Sequence, residues 1–517
     1  MKLTLAGPGS GKTTDLVSQI KSAVSNLKQN KEMAVITYTN ASVDDIKRKL
    51  SESIVIAPNI FIGTIHSFLM HYFIVPHADY LGYNTENILV VDRLSDVGVD
   101  WIDEWVDRKN ADKSIDERKK IKVNIRKSRR NDAIEAAAKK GIYTYDGIVK
   151  IAYQISDNIK IMKSISNRLQ YLFIDEYQDI SVYGHRIVMS LENRKLTEIS
   201  VVGDPDQSIY RFRYGQSQIG ERAPAKNKQP IAQLQNLGQE KCLVRKILIN
   251  HRSSWEIVRF LNQFCTLGEQ EPEKEKFCKI QFINSYKGTE IKEKLIGLRE
   301  WYNCEDCMIV AEENSTLQVF NEYEIETQNC PCNVGKIDLK KLSDFIISST
   351  GLSHKSFIES YCLTPYMIRR ICVSVRSKMQ NENLSGEALL NYTKKVCMEL
   401  YEKQLRFENS RIDINGKKQE YNFASKFIEE HRNDESTMRY MTIHKAKGLE
   451  ADCVLVVAQN VKQLMKWLHM TKTNMREDDE EYRLGYVAFS RARKVLAIAV
   501  LEEIDITDFD TDVWDIV

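Results

Sequence analysis

The sequence predicts an α/β fold of two lobes, each a parallel sheet flanked by helices and each broken by a helical insertion. Three observations carry that prediction. Short apolar runs alternate with helical segments, the pattern of strands buried on both faces. The first run, Leu3 to Ala6, passes straight into the glycine-rich loop Gly7-Pro8-Gly9-Ser10-Gly11 and then into Lys12-Thr13-Thr14 and a helix through about Leu27. Two later runs end in acidic or glutamine-bearing loops, which a parallel sheet would bring to the same edge as the glycine-rich loop.

The first loop predicts phosphate binding. Gly9 and Gly11 let the backbone turn its N–H groups inward, and the helix that follows presents its positive end. Lys12 is placed to reach the β- and γ-phosphates of a nucleotide, and the Thr13 hydroxyl to hold Mg²⁺. Ala6 stands where the simplest form of the pattern has its first glycine.

Met33–Thr37 reads as a second strand, turning through Tyr38–Ala41 into a helix with Ser42 as its expected N-cap. Ile60–Ile62 is a third strand, leading into Gly63-Thr64-Ile65-His66-Ser67-Phe68. The polar stretch 80–166 reads as an inserted helical piece. Arg108–Arg130 within it carries 11 Lys/Arg against three acidic residues, either a solvated face or a surface that tracks phosphates. Tyr171–Ile174 returns to a strand and ends in Asp175-Glu176-Tyr177-Gln178-Asp179. Ile199–Val202 ends in Gly203-Asp204-Pro205-Asp206-Gln207. An Asp-Glu pair after a buried strand supplies one carboxylate for Mg²⁺ and one to activate water.

A second α/β set without its own glycine-rich loop is expected from Gln229. It contains Lys246–Ile249, Asn250-His251-Arg252-Ser253, Met308–Ala311, Met441-Thr442-Ile443-His444-Lys445-Ala446-Lys447-Gly448-Leu449-Glu450, Cys453–Ala458 and Val495–Val500. Glu480 to Arg493 supplies arginines. The expected boundaries are 1–79 with 167–228 for the first lobe and 80–166 for its basic insertion. The second lobe is expected over 229–327 with 436–517, and its reduced helical insertion over 328–435. Glu502–Asp515 is acidic and reads as solvated or interaction surface, and no internal repeat is visible.

Composition narrows the setting. The chain has 517 residues and a net charge of +2, so binding to nucleic acid must come from local patches. It contains neither a run of ~18 apolar residues nor a secretory signal, and all 11 cysteines lie from Cys242 onward, so a reducing cytoplasm is expected. Cys304, Cys307, Cys330 and Cys332 follow one another in an order compatible with a metal cluster, but the tight Cys-Pro-Cys spacing and the strand and loop flanks favour plain burial.

The ordered series AGPGSGKTT, TYTNAS, GTIHSF, FIDEYQD, VVGDPDQSIYRFR, INHRSS, MTIHKAKGLE and YVAFSRAR resembles the motifs of the UvrD/Rep family of superfamily 1A DNA helicases, from residue 3 to 500. The resemblance implies two RecA-like lobes with ATP and Mg²⁺ between them, and 3′→5′ movement on single-stranded DNA. It implies nucleotide contacts from Gly7 to Thr14, Gly448, Glu450 and His251, with Mg²⁺ on Thr13 and Asp175. Glu176 would activate water, Gln207 would sense the γ-phosphate, and Arg252 and Arg491 would be arginine fingers. DNA contacts would come from Thr39, Asn40, Thr64, His66, Tyr210, Thr442 and His444, with Phe212 stacking on a base.

Three features depart from the family pattern. His251 stands where the family has a Tyr against adenine, the second insertion is short, and only Met1 and Lys2 precede the first strand, where the family carries an adenine-reading glutamine segment. No nuclease motif is visible. Short UvrD-like proteins of this kind occur beside nucleases in bacterial defence operons such as the Gabija system. That likeness implies an alternative role, a DNA-sensing ATPase that activates a partner nuclease in antiphage defence.

Overall fold

The computed structural model describes the chain except residues 87, 92–108, 112, 115–116, 119–120, 122–129, 210–228, 321–338, 364, 382–385, 408–437, 470–479, 506–509 and 511. Most of the basic run 108–130, and Tyr210, Phe212, Cys330 and Cys332, therefore lie outside the described residues.

Two six-stranded, all-parallel sheets form the frame. The first contains β1 (Lys2–Ala6), β2 (Glu32–Thr37), β3 (Ile60–Thr64), β4 (Leu169–Ile174), β5 (Glu198–Gly203) and β6 (Leu243–Ile247), in the order β3-β2-β4-β5-β1-β6. The second contains β7 (Ile280–Ile283), β8 (Cys307–Ala311), β9 (Arg439–Thr442), β10 (Ala451–Ala458), β11 (Ala492–Val500) and β12 (Trp514–Ile516), in the order β9-β8-β10-β11-β7-β12. Numbered within each lobe, both sheets follow the same order, 3-2-4-5-1-6. The chain thus carries a structural repeat that its residue pattern hides.

The central strands are apolar on both faces because helices cover both. Every residue of β10 is buried, as expected of a strand between two helical layers. Helix α1 (Lys12–Val24) buries Leu16, Val17 and Ile20, one stripe at helical spacing, against the first sheet. In the second lobe, α3 (Trp255–Asn262) and α4 (Glu480–Phe489) pack Ile257, Phe260, Leu261, Leu484 and Phe489 with Phe282, Val310 and Val456.

The structure revises four expectations. Lys246 does not open the second lobe: strand β6 pairs with β1 in register from Lys2↔Leu243 to Ala6↔Ile247, so the change of sheet falls after Ile247 and not at Gln229. The exposed polar residues of this edge strand disguise its membership. Strand β7 lacks any sequence flag because it is four residues long with a buried Gln281. Trp514–Ile516, within the acidic tail, is an edge strand anchored by Trp514 packing on Phe260 and Phe282. Helix α2 (Asn40–Ser51) starts earlier than expected: Thr39 is its N-cap and accepts from the Ser42 N–H, because the Thr39 hydroxyl already satisfies the first turn.

The chain divides into two compact units. One comprises Met1–Ala78, Ile148–Gln328 and Glu435–Val517 and holds both sheets. The other comprises Asp79–Gly147 and Asn329–Asp434. The first insertion therefore ends near Gly147 and not at 166, since helix Ile159–Arg168 leads directly into β4. Among the described residues, the second unit contains a parallel pair, Leu89–Val91 with Ile142–Thr144, and helices at Leu339–Ser348, His354–Tyr361, Pro365–Asn381 and Gly386–Tyr401. Those four helices share a core of Leu342, Ile346, Phe357, Ile371, Val375, Leu389 and Cys397. No described helix is long and apolar enough to cross a membrane.

Candidate functional site

The two sheets meet head to tail. The first lobe offers the C-terminal ends of its strands: the glycine-rich loop after β1, Asp175-Glu176 after β4 and Asp204–Gln207 after β5. The strand order sets these ends beside one another. The second lobe offers the N-terminal ends of its strands. Glu450 immediately precedes β10, and Arg491 immediately precedes β11. Parallel strands with matched topology therefore deliver acids and backbone donors from one side and arginines from the other.

In the loop, Gly9 and Gly11 have φ of 70° and 73°, a left-handed backbone that side chains disfavour. Gly11 caps α1 without a side-chain hydrogen bond, leaving the helix's first N–H groups without a cap from that residue. The Ser10 hydroxyl donates to the Gly7 carbonyl at 2.7 Å and tightens the turn. Such a cradle suits an anion. Thr13 and Asp175 are hard oxygen donors, which suit Mg²⁺. The residues present therefore fit a magnesium nucleotide.

Asp175 is buried, and Glu176 takes a left-handed φ of 51°, rare for a side chain of its size. Burial, followed by the neighbouring Glu176 charge, pushes the Asp175 carboxyl up. Burial acts on Glu176 in the same sense, but Lys12, Lys447, the Gln178 hydrogen bond and Arg491 together hold it down. The two neighbouring carboxyls are thus pushed in opposite directions, Asp175 up by burial and Glu176 down by the cations around it.

Gln178 organises the acids. Its Nε2 donates to Glu176 Oε2, and its Oε1 accepts the Asp204 N–H at 3.0 Å. Gly203 leaves room for this arrangement: a Cβ there would come within 2.8 Å of Gln178 Oε1 and displace that side chain. Gln207 Nε2 donates to Asp204 Oδ2 at 2.8 Å, and Gln207 Oε1 accepts from Arg491 at 3.0 Å. A continuous hydrogen-bonded chain therefore runs from Glu176 through Gln178, Asp204 and Gln207 to Arg491 in the other lobe.

Arg491 is 2 % exposed and also donates to the carbonyl of Val487 and the hydroxyl of Ser490. Burial, then the charge of Arg252, pulls its guanidinium down to about 9, so it stays charged at neutral pH. Arg252 donates to the Ser490 carbonyl at 3.1 Å and ion-pairs with Glu450. Arg493 bonds Asp452 and Asp306, fixing the edge that carries Glu450. Gly448 has φ 87°. The His251 N–H donates to the Gly9 carbonyl at 2.9 Å, and its imidazole pairs with Glu273 beside Gly11.

Three participants have no role assigned from the sequence: Asn250 and Lys447, which lie within INHRSS and MTIHKAKGLE, and Gln270, which lies in no motif. Asn250, wholly buried, donates to the Pro8 carbonyl and to Gln270 Oε1, and accepts from the N–H groups of Arg252 and Ser253. Gln270 also donates to Pro8 O. Lys447 reaches across to Asp179 and to the Gln207 carbonyl, with both charged side chains buried.

The described residues among those expected to contact DNA lie at or near the C-terminal ends of the outer strands β3 and β9. Thr64 ends β3 and Thr442 ends β9, the third strand of each lobe, and each opens the same tripeptide, Thr-Ile-His. Thr39 caps the helix after β2, the strand beside β3, and Asn40 is exposed there. The Thr64 hydroxyl accepts from the Ser67 N–H, and the His444 ring bonds the Ile209 carbonyl. His66 lies one residue into the helix that follows Thr64.

Cys304 and Cys307 are buried, and their thiols meet Cys453, the register partner of Cys307 on β10. Among the described residues no cluster of three or more His, Cys, Asp and Glu is arranged to hold a metal ion.

Comparison with known proteins agrees with this geometry. Residues 1–213 match the model of an AAA domain, and residues 364–503 match the UvrD-like helicase C-terminal domain. These matches are to UvrD-like helicases. Its relatives include the putative ATP-dependent DNA helicase YjcD of Bacillus subtilis, 27% identical over 236 residues, covering 41% of this chain and 31% of that protein. The Gabija protein GajB of Bacillus cereus is 30% identical over 222 residues, 41% of this chain and 38% of that protein. The ATP-dependent DNA helicase PcrA of Bacillus subtilis is 28% identical over 244 residues, covering 41% and 32%. The matched part thus spans about a third of each of these UvrD-like relatives. Two sheets of parallel strands flanked by helices are the two RecA-like lobes of this family.

Proposed function

We propose that the chain is an ATP-dependent translocase of single-stranded DNA, moving 3′→5′, with hydrolysis in the cleft between its two lobes. The observation that carries this reading is the hydrogen-bonded chain from Glu176 to Arg491, which connects the acid in one lobe to the arginine in the other. A bound magnesium nucleotide would supply the phosphoanhydride bond to be broken. The backbone from Gly7 to Gly11, with Lys12 and Thr14, would hold the phosphates, Thr13 and Asp175 the cation, and His251, Gly448 and Glu450 the nucleoside side. Glu176 would take a proton from the attacking water, and Arg252 and Arg491 would offset charge developing on the γ-phosphate. Because Gln207 touches both lobes, any shift at the phosphate changes how they fit together.

The matched Thr-Ile-His ends at Thr64–His66 and Thr442–His444, with Thr39 and Asn40, support one strand of DNA running over corresponding edges of the two lobes. Tyr210 and Phe212 are proposed to join them. The similarity to Gabija protein GajB favours a second reading: a DNA-sensing ATPase that activates a partner nuclease in defence, acting in the cytoplasm without processive unwinding.

The test is ATPase and strand displacement measured side by side on a 3′-tailed duplex. Stimulation of ATPase by single-stranded DNA with displacement supports the first reading, and stimulation without displacement the second. Glu176→Gln should retain nucleotide and DNA binding and lose turnover. Normal turnover in that variant would overturn the assignment of the base.

A further inference from the structure

Residues 262–270 match no motif, yet they touch the first lobe at three separate places. At one end, Gln270 donates to the Pro8 carbonyl of the glycine-rich loop at 3.2 Å and lies so close that a Cβ on Gly7 would come within 2.7 Å of it. In the middle, the Leu267 carbonyl accepts from Lys246 of β6 at 2.7 Å. Toward the other end, Thr266 grips Asp206: its N–H donates to Oδ2 at 2.7 Å and its hydroxyl to Oδ1 at 2.6 Å.

The loop is itself held rigid. The Asn262 side chain bonds both the N–H and the carbonyl of Gln270, at 2.8 and 2.9 Å, closing the loop on itself. Gly268 takes φ 137°, a conformation that side chains rarely adopt. At its base, α3 is anchored in the core of the second lobe by Ile257, Phe260 and Leu261.

Asp206 is 2 % exposed, and a buried carboxylate without hydrogen-bond donors is costly. Its donors come from Thr266, with Arg483 adding a favourable charge, and both residues belong to the second lobe. Gln207 is the next residue, and Ile209 after it is buried in the second lobe's core. The segment carrying Gln207 is thus fastened to the second lobe just ahead of it.

We propose that loop 262–270 is a brace that fixes the glycine-rich loop and the Gln207 segment relative to each other, which makes Thr266 and Asp206 positioning residues for Gln207. The role assigned to Gln207 rests on the proposed ATPase reading, whereas the brace itself does not.

The test is Thr266→Val, which keeps the shape and removes the hydroxyl donor, with Thr266→Ser as the conservative variant. Two measurements are made on the full chain: backbone hydrogen exchange, and kcat and KM for ATP with and without single-stranded DNA. The expected result is faster exchange over 204–209 and 7–11 in Thr266→Val, together with a fall of about ten-fold in DNA-stimulated kcat at unchanged KM, both restored in Thr266→Ser. Unchanged exchange in Thr266→Val overturns the brace, even if the wild type proves to have no ATPase activity. Faster exchange with full kcat overturns the positioning role. An enzyme inactive in every form, with exchange behaving as expected, refutes the ATPase reading and upholds the brace.

Discussion

Gln178→Leu isolates the first link between Glu176, the proposed base, and the rest of the site. Leucine keeps nearly the same bulk and deletes both polar ends of a side chain that is 6 % exposed. Two interactions go at once: the donor to Glu176 Oε2 and the acceptor for the Asp204 N–H. The first is a hydrogen bond to a charged group, worth ~1.5–3 kcal/mol. If that support holds Glu176 in its left-handed conformation for the reaction, its loss lowers kcat by about 10- to 150-fold, at ~1.4 kcal/mol per decade. The second leaves a buried N–H without an acceptor, which lowers stability by ~1–3 kcal/mol. Steady-state ATPase in saturating DNA measures the first effect and denaturant unfolding the second. Gln178→Glu keeps an acceptor for the Asp204 N–H but buries a further carboxylate beside Glu176, so it should stay slow and lose stability as well. A kcat within about two-fold of wild type in Gln178→Leu, with only KM raised, would refute the claim that Gln178 orients the base.

Three further outcomes are expected. Lys447→Met strands Asp179 without the cation that faces it across the lobes. It should destabilise the fold by ~3–5 kcal/mol, and Lys447→Met with Asp179→Leu should recover most of that, as read from unfolding midpoints. Asn250→Ala removes two donors and two acceptors from one buried junction. It should weaken nucleotide binding far more than a neighbouring surface change, measured by titration calorimetry. His185, buried against the Tyr177 hydroxyl, has its pKa pulled down to about 4, mainly by burial. The folded state therefore binds fewer protons than the unfolded one between pH 6.5 and 4. Stability should fall as pH drops through that window, by ~1.4 kcal/mol per unit more steeply than in His185→Gln, followed by urea unfolding at several pH values.

The sequence displays residues that must be of one type for a backbone or chemical reason. Gly9 and Gly11 can be read because their φ values demand glycine, and Lys12-Thr13 and Asp175-Glu176 because they follow apolar strands. Partners that act through geometry leave no such mark. Thr266 and Gln270 are ordinary polar residues outside every motif, and Lys447, though within MTIHKAKGLE, gives no sign of its partner; only the crossing of two lobes brings them to Asp206, Pro8 and Asp179. Strand β6 reads as part of the wrong lobe for a related reason: its pairing with β1 is set by the fold and not by its residues, two of which, Arg245 and Lys246, are exposed at the sheet edge. Cys453 belongs with Cys304 and Cys307 through strand register, a relation that spacing along the chain does not express.

The two lobes share a strand order but not the loops at their ends, so under the proposed reading neither would hydrolyse a nucleotide alone. In the second sheet β7 takes the place that β1 holds in the first, yet it runs into Asn284-Ser285-Tyr286-Lys287 with no glycine cradle and no Lys-Thr. What that lobe retains at its opposite edge is a cluster of charges, with Asp306, Glu450, Asp452, Arg491 and Arg493 at the starts of β8, β10 and β11. The head-to-tail packing sets that edge against the cradle of the first lobe, so acids and arginines face each other without sharing a sheet. Every contact across the junction, from Arg491 on Gln207 to Thr266 on Asp206, must then reform whenever the lobes move. A buried carboxylate tolerates such movement poorly, because water must replace each donor it loses. Asp206 and Asp179, each buried and each held by a donor from the second lobe, are therefore the points where the lobes should separate last.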